Sequence, residues 1–405
     1  DGQLITGNVT LEINTKFYKI VVVDGIGVRS IEKPSVGKYT YSATYKGTDK
    51  ISRAVDTGVF EVMPVDYNVI LNAPDVKMIY HDGTRFTATL TDEKGNPIRD
   101  AAIEITINGR SYDKITDEKG GVSLGLNLDS GIYSVVVKFK GLPNYSPITK
   151  HANVTIEPTV KGLDVVKMFR NSTQYYAIFT DSHGNFLKNK NVQFNINGVF
   201  YTKTTNDKGI AMMGINLNPG KYVITVINLV TGEQSSNIIT VKSLIVQKDL
   251  TKYYLNASRF QTTIYNKDGS LAVNKEVTFN INGVFYHRTT DSNGVASLGI
   301  SLRPGEYIIT TMFDGLAIGN KVSVLPTLVT KNLNMKYLDG SSFTAQTLDG
   351  QGKPLANQNV SFNVNGVFYY KVTDNNGMAK LNIRLMPGEY IITSCWNNFQ
   401  TGNTI

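Results

Sequence analysis

The sequence predicts an all-β chain of tandem β-sandwich domains strung into an extended rod, and three observations carry that reading. Three short motifs recur in fixed order at a spacing of roughly 80–90 residues. The segments around them alternate apolar and polar residues with period two. The composition is rich in Tyr, Phe, Val, Ile, Thr and Asn, residues of strands and turns, and no segment reads as an amphipathic helix.

The first motif is Asn195-Ile-Asn-Gly-Val-Phe-Tyr201, which recurs as Asn280 to Tyr286, as Asn363 to Tyr369 with one change, and more weakly as Thr106 to Tyr112. Upstream, Val192, Phe194 and Ile196 alternate with Gln193 and Asn195, the pattern of a strand with one buried face. Asn197-Gly198 then supplies the two positive-φ residues of a tight hairpin, and Val199 to Tyr201 begin the returning strand. The second motif, as in Thr116-Asp117-Glu118-Lys119-Gly120, has the chemistry of a short turn in which Asp caps backbone N–H groups and Gly takes the left-handed position. The third, as in Pro304-Gly305-Glu306-Tyr307, turns the chain into another alternating strand.

About seven strands fit each repeat, the size and pattern of an immunoglobulin-like sandwich. Five domains are expected: residues 1–72, 73–158, 159–243, 244–326 and 327–405. The first reads as the middle and late strands of the same design, an incomplete domain whose first strands are missing. Linkers such as Glu157-Pro158-Thr159 and Lys242-Ser243 are very short, which restricts bending and favours a semi-rigid rod.

The net charge of +8 comes from lysines scattered along the chain, without a basic block, so nucleic acid is not an expected partner. The single cysteine, Cys395, excludes an intrachain disulfide and a cysteine-based zinc site, and reads as a small core residue. No signal peptide and no apolar run long enough to cross a bilayer are seen; export and anchoring signals are expected outside this fragment. The four histidines fall at non-equivalent positions, so no catalytic grouping forms. The second motif offers oxygen ligands to calcium, but Asn206 replaces its acid in one repeat, and turn chemistry is the expected role. Neither a metal nor a cofactor is expected.

Together the Asn-Gly-Val-Phe-Tyr hairpin, the Thr-Asp-x-x-Gly turn and the Pro-Gly-x-Tyr turn resemble the immunoglobulin-like repeats of large adhesin-like surface proteins, particularly those of methanogenic archaea. The resemblance covers residues 74–405, and residues 1–66 are similar to another such repeat through Val36-Gly37-Lys38-Tyr39 and Thr44-Tyr45-Lys46-Gly47. It implies an extracellular, non-enzymatic stalk or adhesin at the cell surface, with a surface protein or glycan as partner and a monomeric chain. Two rival expectations are accessory modules of a larger secreted enzyme, and a structural component of a filament or virion.

In some surface domains of this kind, a Lys on the first strand joins an Asn on the last in an isopeptide bond. Lys167 with Asn237, and Lys252 with Asn320, are the candidate pairs. The chemistry needs a neutral buried lysine and an acid beside the amide. Met78 and Met335 stand where repeats one and four would need that lysine, and Asp164 and Asp249 are placed by strand periodicity on the opposite face. The competing reading is that these lysines guard a sheet edge against strand-to-strand aggregation. Asn171 and Asn256 are sequons at equivalent turn positions and are candidate glycosylation sites, against chance occurrence in an Asn- and Thr-rich chain.

Overall fold

The structure, a computed structural model, describes residues 4–63 and 67–405, which form strands and turns with no helix. The chain divides into two compact units, Asp1–Thr159 with Thr180–Phe186 and Val230–Glu233, and Val160–Phe179 with Leu187–Leu229 and Gln234–Ile405. In the first unit an antiparallel sheet runs in the order Lys16–Val22, Gly7–Ile13, Gly37–Tyr45, Ala54–Val62. Repeat one follows, with a three-stranded sheet (Gly121–Gly125, Arg85–Asp92, Val69–Asn72) facing a five-stranded one (Val76–Ile79, Ile148–Glu157, Gly131–Phe139, Ala102–Ile107, Arg110–Ile115).

The second unit holds the other repeats. In repeat two the small sheet is Val160–Gly162, Gln174–Phe179 and Ile210–Gly214; the large one is Val165–Met168, Gln234–Lys242, Gly220–Ile227, Asn191–Ile196 and Val199–Thr204. Repeat three copies this order. Repeat four lacks the short leading strand of the large sheet but keeps a hydrogen bond there, from Leu333 N to Thr404 O at 2.9 Å.

Seven strands were expected and repeats one to three have eight, because the first strand breaks in two and serves both sheets. Its first piece pairs antiparallel in the small sheet, and its second runs parallel to the closing strand, Val165 to Met168 against Ile239 to Lys242.

Local chemistry explains the frame. Asn197 and Gly198 take φ of 54° and 78°, the left-handed pair the hairpin requires. Asp117 Oδ1 accepts from the backbone N–H of Lys119 and Gly121, both at 2.8 Å. Asn206 does the same work toward Lys208 and Ile210 with a neutral oxygen, so this turn needs an acceptor rather than a charge. The preceding threonine is buried in every repeat; Thr116 Oγ1 donates to Ile98 O at 2.8 Å and accepts from Ala101 N at 2.9 Å. The third motif's tyrosine donates its hydroxyl to the carbonyl four residues back, as in Tyr307 to Arg303 at 2.8 Å, and Tyr39 repeats this toward Ser35 in the first sheet. Between the sheets the phenylalanine just before the first motif meets a ring of the small sheet edge-on, Phe194 with Tyr175, Phe279 with Phe260 and Phe362 with Phe343, at 5.8, 6.0 and 5.8 Å.

Candidate functional site

The distinctive polar chemistry gathers where the first strand crosses to the closing strand. At the break, Asp164 Oδ1 accepts from Ile238 N at 2.8 Å and from Asn237 Nδ2 at 3.3 Å. Asp249 does likewise with Lys321 N at 2.9 Å and Asn320 Nδ2 at 2.7 Å. In repeat four an asparagine takes the acid's place, Asn332 Oδ1 accepting from Thr404 N and Asn403 Nδ2, both at 3.1 Å. Repeat one keeps the backbone half, Asn153 N to Asp75 Oδ1 at 2.7 Å.

The closing-strand asparagine is held from its other end too, each time by a different donor. Asn237 Oδ1 accepts from Tyr175 Oη at 2.7 Å, Asn320 Oδ1 from Gln247 Nε2 at 2.8 Å, and Asn403 Oδ1 from Thr330 Oγ1 at 2.6 Å. Gly162 explains one substitution, since a Cβ there would lie 2.1 Å from the Tyr175 hydroxyl oxygen. Where Phe260 has no hydroxyl, Gln247 fills that space and supplies the donor. Each of these repeats therefore holds one carboxamide of its last strand from both ends, by an acceptor at or beside the break in the first strand and by a donor from the small sheet.

Burial and hydrogen bonding set the charges. Desolvation, then the charge of Asp164, pushes the Tyr175 phenol up to about 12. The hydrogen bond from Asn320, then that from Lys321 N, holds the Asp249 carboxyl below its ordinary value.

Lys167 and Lys252 lie in this seam, both 5% exposed, in the register that Met78 occupies in repeat one. Burial lowers both pKa values. Their ammonium groups take backbone partners: Lys167 Nζ donates to the carbonyls of Asn171, Thr173 (3.1 Å) and Ile215 (2.8 Å), and Lys252 Nζ to that of Ile300 at 2.7 Å. Among the described residues, the hydrogen-bond partners of these lysines do not include Asn237 or Asn320, whose amides are committed to the lock. Asp164 and Asp249 are exposed and Lys167 and Lys252 buried, as period-two counting places them, on opposite sides of the strand piece that begins one residue after each acid. The carboxylates do reach the asparagines, by hydrogen bonds from their amide nitrogens.

Asn171 and Asn256 sit in the turn that follows, and their side chains reach into the next repeat. Asn171 Nδ2 donates to Lys267 O at 2.7 Å and Asn256 Nδ2 to Gly350 O. Arg170 Nη1 to Asp314 O at 3.2 Å, and the Tyr254 and Phe399 rings at 5.8 Å, complete these two junctions. An N-linked sugar at either asparagine would have to share the nitrogen that makes the junction bond.

The split first strand, parallel closing pair and paired sheets define tandem immunoglobulin-like β-sandwich repeats. No family model matches the chain. The chain is 21% identical over 414 residues to the inverse autotransporter adhesin YeeJ of Escherichia coli (strain K12), covering 85% of this chain and 17% of that protein. It thus spans less than a fifth of that relative's length. Among solved structures it is similar to a calcium-stabilised adhesin with which an Antarctic bacterium binds ice, at 16% identity and TM-score 0.18 over 84% of this chain and 98% of that one. It is also similar to a tandem of titin domains, at 14% identity and TM-score 0.23 over 64% and 99%.

Proposed function

We propose that this chain is a load-bearing, non-enzymatic segment of an extracellular adhesin, a stalk whose domains 1–72, 73–158, 159–243, 244–326 and 327–405 form a semi-rigid rod and support attachment to a surface protein or glycan. The observation that carries this is the locked seam. In a parallel pair of first and last strands, tension drawn through the two ends of a repeat pulls the strands along their length in opposite directions. All rungs of the ladder then resist together instead of opening one by one. The asparagine lock adds side-chain bonds from the break in the first strand to the closing strand in three consecutive repeats. Similarity to an autotransporter adhesin over most of the chain supports placement at a cell surface. The likeness of the three motifs to methanogen surface repeats supports an archaeal source as part of the same reading.

The test is display. Antibody against this segment should label intact, unpermeabilised cells that produce the full protein, and external protease should remove the label. Labelling only after permeabilisation would contradict the reading.

A further inference from the structure

Three repeats carry the same row of side chains across the outer face of the large sheet, and the core does not account for it. In repeat three Phe285, Asn280, Thr310 and Gly319 pair in register over four adjacent strands. Repeat two has Phe200, Asn195, Thr225 and Ser236 at these places, and repeat four has Phe368, Asn363, Thr393 and Gly402. The phenylalanines are 58%, 59% and 59% exposed on the edge strand. The carboxamides of Asn195 and Asn280 make no hydrogen bond among the described residues.

Beside the threonine stands an exposed β-branched side chain, Val223, Ile308 or Ile391, and the small fourth residue leaves the floor next to it open. A methyl group at Gly319 would come within 3.4 Å of the Ile308 side chain. The row of repeat three and the adjoining His287, Thr278, Met312 and Ala317 hold no Asp, Glu, Lys or Arg; beyond them the Glu276 carboxylate lies 3.3 Å from His287 Nδ1. On the other side, Lys321 is paired with Glu306 at 2.9 Å. Repeat one is built differently: its row is Ser111, Thr106, Val136 and His151, flanked by Asp113, Glu104 and Lys138.

We propose that these three rows are shelves for a neutral polysaccharide, an inference that rests on the adhesive reading above and names its ligand class. An exposed ring offers an apolar face to the C–H face of a sugar. The carboxamide is free in Asn195 and Asn280 and offers both donors and an acceptor to sugar hydroxyls; in Asn363 the oxygen accepts from Gly366 N at 3.1 Å and the nitrogen supplies the donors. The threonine hydroxyl adds to these, and in repeat two it is shared with Ser236 Oγ at 2.9 Å. Absence of charge fits a neutral polymer better than an acidic one. At about 14 Å across four strands, a row one residue wide is too small for the ~1,000 Å² that a stable protein partner needs. Each shelf is weak alone, and a repeating polymer that engages more than one gains through effective concentration.

The test uses the whole chain in affinity electrophoresis through gels containing β-glucan, xylan, mannan or galactan, with heparin and polygalacturonate as charged comparators. At least one neutral polymer should retard the wild type. The triple variant Phe200→Ser, Phe285→Ser, Phe368→Ser should bind it at least about tenfold more weakly, while Ser111→Ala in repeat one leaves binding unchanged. These side chains are exposed, and an unaltered circular dichroism melt confirms that the variant is folded. Four outcomes overturn the proposal: no retardation by any neutral polymer, retardation only by charged ones, an undiminished triple variant, or concentration-dependent self-association in sedimentation that the triple variant abolishes. The stalk reading is separate, since its force resistance should survive in the triple variant.

Discussion

Single side chains in the core show how closely the repeats are variations on one plan. On the strand before the closing one, Val137 pairs with Ile105 and Val226 with Phe194, and at the same register repeats three and four carry Thr311 and Ser394. Both hydroxyls are buried without a partner among the described residues. Thr311→Val, which keeps the shape and removes the orphaned hydroxyl, should stabilise the protein by about 1 kcal/mol in chemical denaturation; destabilisation would contradict that account. The buried lysines separate in a similar way. Lys167→Met strips three carbonyls of a donor and should cost about 1–3 kcal/mol. Lys252→Met strips one and imitates Met78, so its cost should be clearly smaller in the same assay. Much at this scale was legible in the sequence: the positive-φ Asn-Gly pair, the capping Asp and the alternating core residues are dictated by local chemistry. The buried Thr of the second motif was not, because its partners lie as far as 18 residues away and no local pattern announces them.

The seam is a property of elements, and here the sequence was only half readable. The identities of Lys167, Asn237, Lys252 and Asn320 marked the right strands. Their partners depend on the strand break at Leu163-Asp164, which sends the two pieces of the first strand to different sheets. Gln247 and Thr330 went unnoticed for the same reason: three chemically different donors serve one function, and repeat alignment hides that equivalence. The lock should also respond to pH. The Tyr175 pKa is raised, so its contribution is complete below the unfolded tyrosine value of 10.0 and is lost as pH climbs through about 12. Tyr175→Phe should therefore flatten the loss of stability across that alkaline window. The Asp249 pKa is lowered, so its contribution is present above 3.8 and disappears as pH falls through the folded value. Asp249→Asn should make acid denaturation shallower, measured by fluorescence from pH 5 downward.

For the whole molecule, tandem organisation was the most legible feature, because repetition of three ordered motifs leaves few alternatives to repeated sandwiches. Junction contacts were not legible: the turn asparagines looked like sugar acceptors, and only the fold brings Asn171 to Lys267 and Asn256 to Gly350. Load passing from repeat to repeat crosses those bonds and then the locked seams, so the seams' resistance is the central claim. Pulling single chains between their ends by atomic force microscopy tests it most directly, comparing wild type with Asn237→Ala, Asn320→Ala, Asn403→Ala. The account predicts a series of discrete unfolding peaks, with three of them shifted to clearly lower force in the triple variant and the remainder unmoved. Equal peak forces in the two proteins would contradict it.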